Sequence, residues 1–378
     1  MSTLHDSFLR RIADAIERGN KVFWYSMVFP VVFPNRTIPI QEENIERVLI
    51  IRSDAIGDMI LTTPLFRALK SRHPELRLWV AASDRNAQVI DADPDIEKII
   101  VLVKKRKIVW SAIRSLRAFK PQIIMNCVTN ETTKYGMIAR LISRTAFTVA
   151  LGHPERAEYA ALYSRLIRVP DMYTRWYADI MLEFIRQTFG ISIDAKKAFP
   201  HIVIEEEHLQ RADSFFKSSM LRIGEPALVN ISAGQPRKRW SNEKYIALIT
   251  MLRKRFDTVI LTSTPEDRQN ADTILRHFGA GVLYYDAENI RALAALIARC
   301  RIVVTPDTSV IHVAAAEKIP VVAMYSNAKS VVPQWLPFGV PFSAVVTEEY
   351  FCEAIDPREV FANVAELIDA LPNRDGKS

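Results

Sequence analysis

Cysteine is scarce and scattered in this chain. Only Cys127, Cys300 and Cys352 occur. No CxxC pair and no Cys/His ligand spacing accompanies them, which excludes a disulfide framework and a conventional zinc site. The expectation is three buried thiols in a reducing compartment. Also missing is any apolar run of the ~20 residues that a membrane-crossing helix requires. Neither GxGxxG nor GxxxxGK[ST] is present, so the dinucleotide fingerprint and the P-loop are both absent. Disorder and low complexity are excluded by composition, because 49% of the 378 residues are apolar.

What is present is positive charge. The formal net charge of +7 points to anionic partners: phosphorylated small molecules, nucleic acid or an acidic membrane face. The cations are scattered and no nucleic-acid recognition motif appears, so nucleic acid is not an expected partner. Residues 1–45 read as an N-terminal extension. "SFLRRIADAIERGN" has helical apolar spacing (Phe8, Leu9, Ile12, Ile16), and "KVFWYSMVFPVVF" is apolar and aromatic but interrupted by Pro30 and followed by Pro34. No small-residue cleavage site follows, which argues against a signal peptide. The segment is expected either to pack on the body as a helix or to lie at a membrane interface.

From Arg47 onward, short β-branched runs alternate with helical patterns. "RVLIIR", "LRLWVAAS", "IEKIIVLV", "PQIIMNCV" and "AFTVALG" read as strands, with helices between them, including one over 86–92. After a long helical section at 173–189 and a polar stretch near 194–201, the pattern restarts. "PALVNISAG", "DTVILTST", "GVLYYDA", "RIVVTPD" and "IPVVAMYS" are strands, the last being the final clear one. Continuous apolar strands alternating with helices predict parallel sheets covered on both faces. The expectation is α/β: two doubly wound Rossmann-like domains, 46–195 and 196–378, facing across a cleft. Ligands of such sheets bind beyond the carboxyl ends of the strands.

Three stretches carry chemistry at that edge. In "RSDAIGDMILTTP", Gly57 is expected to allow a tight or positive-φ turn, and Thr62 or Thr63 with Pro64 to open a helix. Asp54 reads as a cap. Asp58, beside the glycine, reads as a carboxylate held ionised by helix N-termini and able to accept a proton. In "VVTPDTSVIHVAAA", Asp307 or Thr308 caps a helix whose free N–H groups suit phosphate oxygens. His312 lies four residues beyond Thr308 on the same face, either donating to a pyrophosphate or sitting as a satisfied core histidine. In "NISAGQPRKRW", Gly234 precedes Arg237, Lys238 and Arg239, cations placed to stabilise a leaving diphosphate. Weaker signals are Glu266 after "LTSTP", which could accept from a ribose, and the basic run 104–107.

Together these stretches resemble glycosyltransferase family 9, the bacterial lipopolysaccharide heptosyltransferases. The resemblance runs from about Arg47 to Phe338. It implies a GT-B fold, with an acceptor held mainly by the first domain and a nucleotide-sugar donor by the second. It also implies metal-independent, inverting transfer from ADP-L-glycero-β-D-manno-heptose to a sugar of the lipopolysaccharide inner core. That places the protein in the cytoplasm, peripheral on the inner face of the cytoplasmic membrane, with no cofactor beyond the donor. By the same resemblance Asp58 is the general base, Lys238 contacts the donor diphosphate, and Asp307, Thr308, Ser309 and His312 form the donor segment. Glu266 binds the donor ribose, and Lys104, Lys105 and Arg106 contact the acceptor. Ser309 stands where the family carries glycine, and "YSNAKS" (325–330) replaces a glycine-proline-threonine turn. A different nucleotide-sugar, or a non-catalytic glycan- or nucleotide-binding protein of the same fold, are the alternatives.

Overall fold

The run RVLII forms β1 (Arg47–Ile51), whose last four residues are fully buried. A residue run that is apolar at every position can only settle between two covering layers. The computed structural model describes residues 45–191, 199–278, 281–326 and 333–371, together with Phe23, Trp24 and Met27. The expected helix and interfacial segment over 1–45 therefore lie outside the described residues, apart from those three side chains, which are exposed.

The first lobe adds β2 (Arg77–Ser83), β3 (Lys98–Lys104), β4 (Lys107–Ile108), β5 (Ile123–Asn126), β6 (Phe147–Leu151) and β7 (Arg165–Ile167). Their order is β4-β3-β2-β1-β5-β6-β7, parallel except for the β3–β4 hairpin at one edge. Its helices are α1 (Ile56–Ile60), α2 (Thr63–Arg72), α3 (Trp110–Phe119), α4 (Thr133–Ile142), α5 (Ala157–Ala160) and α6 (Tyr177–Phe189). The helix expected over 86–92 is only a 3-10 turn at Ala87–Val89.

The second lobe has β8 (Ala227–Asn230), β9 (Val259–Thr262), β10 (Val282–Tyr284), β11 (Ile302–Pro306), β12 (Val321–Ser326) and β13 (Phe342–Thr347). They are ordered β10-β9-β8-β11-β12-β13, all parallel. The helices are α7 (Glu206–Ser218), α8 (Asn242–Leu252), α9 (Arg268–His277), α10 (Ile290–Ile297), α11 (Ser309–Ala316) and α12 (Pro357–Asp369). α7, β13 and α12 were not anticipated, and "IPVVAMYS" is the penultimate strand rather than the last.

Period-two alternation splits each sheet between two clusters. Val48 and Ile50 of β1 join Leu228 of β8 and Val303 of β11 in one continuous apolar core that spans both lobes. Leu49 and Ile51 face a separate cluster under α3 and α4. Ala227 and Val229 face another under α8 and α12. Beyond β12 the chain returns to the first lobe, where Trp335 stacks on Tyr177 of α6 with centroids 5.1 Å apart. Among the described residues, no helix is long and apolar enough to cross a membrane.

Candidate active site

The site begins where β1 ends. Arg52 follows the apolar run directly and is completely buried. A buried guanidinium is tolerable only when charge and hydrogen bonds surround it. Here Nε lies 3.1 Å from Asp54 Oδ1, and Nη2 lies 3.3 Å from Asp58 Oδ1. Nη1 donates to the Cys127 carbonyl and, at 2.8 Å, to the Tyr177 hydroxyl, which itself donates to the same carbonyl at 2.9 Å. Burial alone would lower the pKa of Arg52, but Asp54, Tyr177 and Asp58 outweigh it and raise it. Asp54 is pushed above the usual carboxylate range by its own burial, against the pull of Arg52 and with a further push from Asp58. Asp54 is thus an ion-pair partner rather than the expected cap; Ala55 occupies the N-cap position of α1.

Asp58 sits in the first turn of α1, and its Oδ2 accepts the Ala55 N–H at 3.0 Å. One carboxylate oxygen is fixed by that amide and the other by Arg52, so the group is aimed, not free to rotate. Gly57 has helical rather than positive φ, contrary to the expected turn. Its lack of a side chain serves a close approach instead. A Cβ there would lie 2.5 Å from His312 Cδ2, far inside contact distance.

α11 delivers that histidine. Thr308 caps the helix, its Oγ1 accepting from Val310 N at 3.3 Å. The cap is held by Thr305 Oγ1 at 3.2 Å, which in turn accepts from Asn230 Nδ2 at 2.9 Å. Ser309 is the first helical residue and is half-buried. Asp307 is not the cap: its Oδ2 lies 2.6 Å from Lys238 Nζ, which also donates to its carbonyl at 3.1 Å. Burial lowers the His312 pKa from 6.5 to about 4, even though Asp58 and Asp307 pull it upward. The ring is therefore neutral at pH 7, and its Nδ1 has no hydrogen-bond partner among the described residues. That is not a satisfied core histidine.

Six of the sequence-nominated residues, Asp58, Lys238, Asp307, Thr308, Ser309 and His312, thus converge where α1 meets α11. Gly234 lies on the exposed loop beyond β8 with open space where a side chain would be. Glu266 is exposed in the turn after β9. Its carboxyl lies below the usual range because its own backbone N–H and Thr264 hydrogen-bond to it, with Arg85 of the first lobe helping. Lys104, Lys105 and Arg106 stand apart, on the β3–β4 hairpin at the sheet edge, two strands from β1. Tyr325 and Ser326 end β12, and 327–332 lie outside the described residues. Arg52, Tyr177 and the Asn230–Thr305 pair were missed. The signal for Arg52 was a charge closing an otherwise apolar strand. Elsewhere, Glu205, Glu207 and His208 bring ligand atoms within 4.8 Å of one another, but Arg291 Nε lies 3.1 Å from Glu205 and already neutralises it.

The family model described as glycosyltransferase family 9 (heptosyltransferase) matches residues 138–347. Lipooligosaccharide heptosyltransferase 2 of Haemophilus influenzae is 24% identical over 305 residues, 77% of this chain and 85% of that protein. The crystal structure of a family 9 glycosyltransferase from Veillonella parvula superposes with a TM-score of 0.74 at 21% identity. It covers 88% of this chain and 99% of its own. Escherichia coli heptosyltransferase WaaC with ADP-2-deoxy-2-fluoro heptose gives 0.67 at 17% identity, covering 85% and 99%. The fold is GT-B.

Proposed function

The chain belongs to glycosyltransferase family 9, and from that premise we propose that it transfers heptose from ADP-L-glycero-β-D-manno-heptose to a sugar of the lipopolysaccharide inner core. The reaction is a single inverting displacement. Asp58 takes the proton of an acceptor hydroxyl as that oxygen attacks the anomeric carbon and the bond to the diphosphate breaks. Charge growing on the departing diphosphate is met by Lys238, by the free amides at the start of α11 and by the neutral His312 imidazole as a donor. The protein needs no metal for this, because fixed cations and dipoles supply the charge. Glu266 holds the donor ribose, Gly234 leaves room on the donor side, and Lys104, Lys105 and Arg106 meet the acceptor. Transfer takes place at the cytoplasmic face of the inner membrane.

One observation carries this reading. Gly57 and His312 touch across the two lobes, so the aimed carboxylate and the capped, cation-flanked helix start address one space. A binding protein has no use for the first of these. The ADP-2-deoxy-2-fluoro heptose held by Escherichia coli WaaC supports an ADP-sugar as the donor here. Ser309, a side chain at the first helical position, supports a second reading in which the donor is another nucleotide-sugar.

Purified protein offered ADP-heptose and competing nucleotide-sugars with a core acceptor separates these readings by nucleotide release. Asp58→Asn is expected to fold normally and to lose roughly 10²–10⁴-fold in transfer, the usual worth of a general base. Turnover near wild type would remove Asp58 from that role, and a preference for another donor would establish the second reading.

A further inference from the structure

The charge of the chain is distributed unevenly. Between Glu97 and Glu131 there are eight cations and no acid. Seven of them, Lys104, Lys105, Arg106, Lys107, Arg114, Arg117 and Lys120, are exposed on the β3–β4 hairpin and α3. Among the described residues none of the seven has a carboxylate within ion-pairing distance. Two acids at the ends of the adjoining strands are engaged: Asp84 accepts the Lys105 backbone N–H at 3.1 Å, and Glu97 is bridged to Arg77 at 2.7 Å.

The same surface carries an aromatic residue that has no business in water. Trp110, the first residue of α3, is 70% exposed. It begins a stripe with Arg114 and Arg117 at i, i+4 and i+7, so all three project from one face. The opposite face, Ala112, Ile113, Leu116 and Phe119, is buried against the sheet. The folded body thus presents the stripe rigidly, beside the carboxyl edge that also carries Asp58.

We infer that the outer face of α3, extended by the Lys107 side of the hairpin, docks the protein on an anionic lipid bilayer, with Trp110 entering the headgroup layer. Charge complementarity selects the partner: unneutralised arginines and lysines on one face fit a sheet of lipid phosphates. The exposed indole selects lipid over nucleic acid, because an amphipathic ring is at home at the bilayer interface. This surface is distinct from the donor and base groups, and the inference does not depend on which sugar is transferred.

The test is flotation of the full chain with vesicles of phosphatidylcholine alone or mixed with phosphatidylglycerol. Wild type is expected to float with the mixed vesicles, to stay behind with phosphatidylcholine, and to be released by salt. The triple variant Trp110→Ser/Arg114→Gln/Arg117→Gln, with unchanged circular dichroism and melting, is expected to lose at least about tenfold in vesicle affinity. A second measurement needs only a conservative change. Brominated phosphatidylglycerol should quench tryptophan fluorescence in wild type and quench Trp110→Phe less. Flotation of the triple variant like wild type, equal binding to neutral vesicles, or undiminished quenching in Trp110→Phe would each overturn the proposal. So would wild type that ignores both vesicles but binds single-stranded RNA through the same residues.

Discussion

At the residue scale, the site is built on a buried cation. Arg52 gives up its hydration entirely, which is costly unless partners replace the water, and five groups do so. Two are the carboxylates of Asp54 and Asp58. The arginine thereby fixes where Asp58 points, so its function is to position rather than to react. His312 is the complementary case, a ring kept neutral by burial. Its protonation is expected to govern part of the acid sensitivity of the fold. An unfolded histidine takes up its proton near pH 6.5, whereas folded His312 waits until about pH 4. Below 6.5 the unfolded state binds the proton first, so stability is full above that pH and is lost as pH falls to about 4. The difference amounts to about 3 kcal/mol. Denaturant unfolding followed from pH 7 to 4 checks this: His312→Gln should flatten the decline by that amount, and parallel curves would refute it. Asp58 and His312 were both visible in sequence from their place beside a strand end. Arg52 was not, because its partners Cys127 and Tyr177 lie far along the chain and nothing local reveals them.

At the element scale, α1 and α11 are pressed together with no space for a methyl group. Gly57→Ala is favoured by helix propensity by ~1 kcal/mol, yet its Cβ would meet the buried ring of His312 at 2.5 Å. The two elements must part, and a shift of this size between reacting groups can cost on the order of a hundredfold in rate. The fold itself should survive, because α1 is only five residues long. Steady-state kinetics of a double-mutant cycle isolates the cause. Gly57→Ala should cut kcat/KM in the native background and cost little in His312→Ala, where the clash is gone; equal losses in both would show that the contact is irrelevant. Sequence marked this glycine as important for the wrong reason, a turn, since its crowding neighbour belongs to the other lobe. The same limit hid other elements. α7 buries only His208, Ala212 and Phe216 in a polar run. β13, an edge strand, buries only Val345. The central strands were legible because each carries an unbroken run of at least three apolar, buried residues, with polar residues confined to their ends.

At the scale of the molecule, the two-lobed architecture followed from the restart of the strand–helix alternation, but the degree of union between the lobes did not. Two domains joined by a polar interface normally move and melt separately. Here a single apolar cluster runs from β1 and α6 of the first lobe to β8 and β11 of the second. The union is reinforced by Gln88 Oε1 accepting from Ile290 N at 3.1 Å and by His201 Nε2 lying 3.1 Å from Asp93 Oδ2. Trp335 adds its stack on Tyr177, the residue that also holds Arg52. Unfolding either lobe would expose the inner face of the other, so neither has an independent stable state. Calorimetry should therefore show one transition, with circular dichroism and tryptophan fluorescence giving the same midpoint. Trp335→Ala should lower that common midpoint, by roughly 1–2 °C for each kcal/mol lost from a single unit of this size, without splitting it. Two resolved transitions, or a variant in which only the first lobe melts early, would mean that the shared cluster is a seam between separable bodies. The alignment of Asp58 with His312 would then depend on closure rather than on the fold.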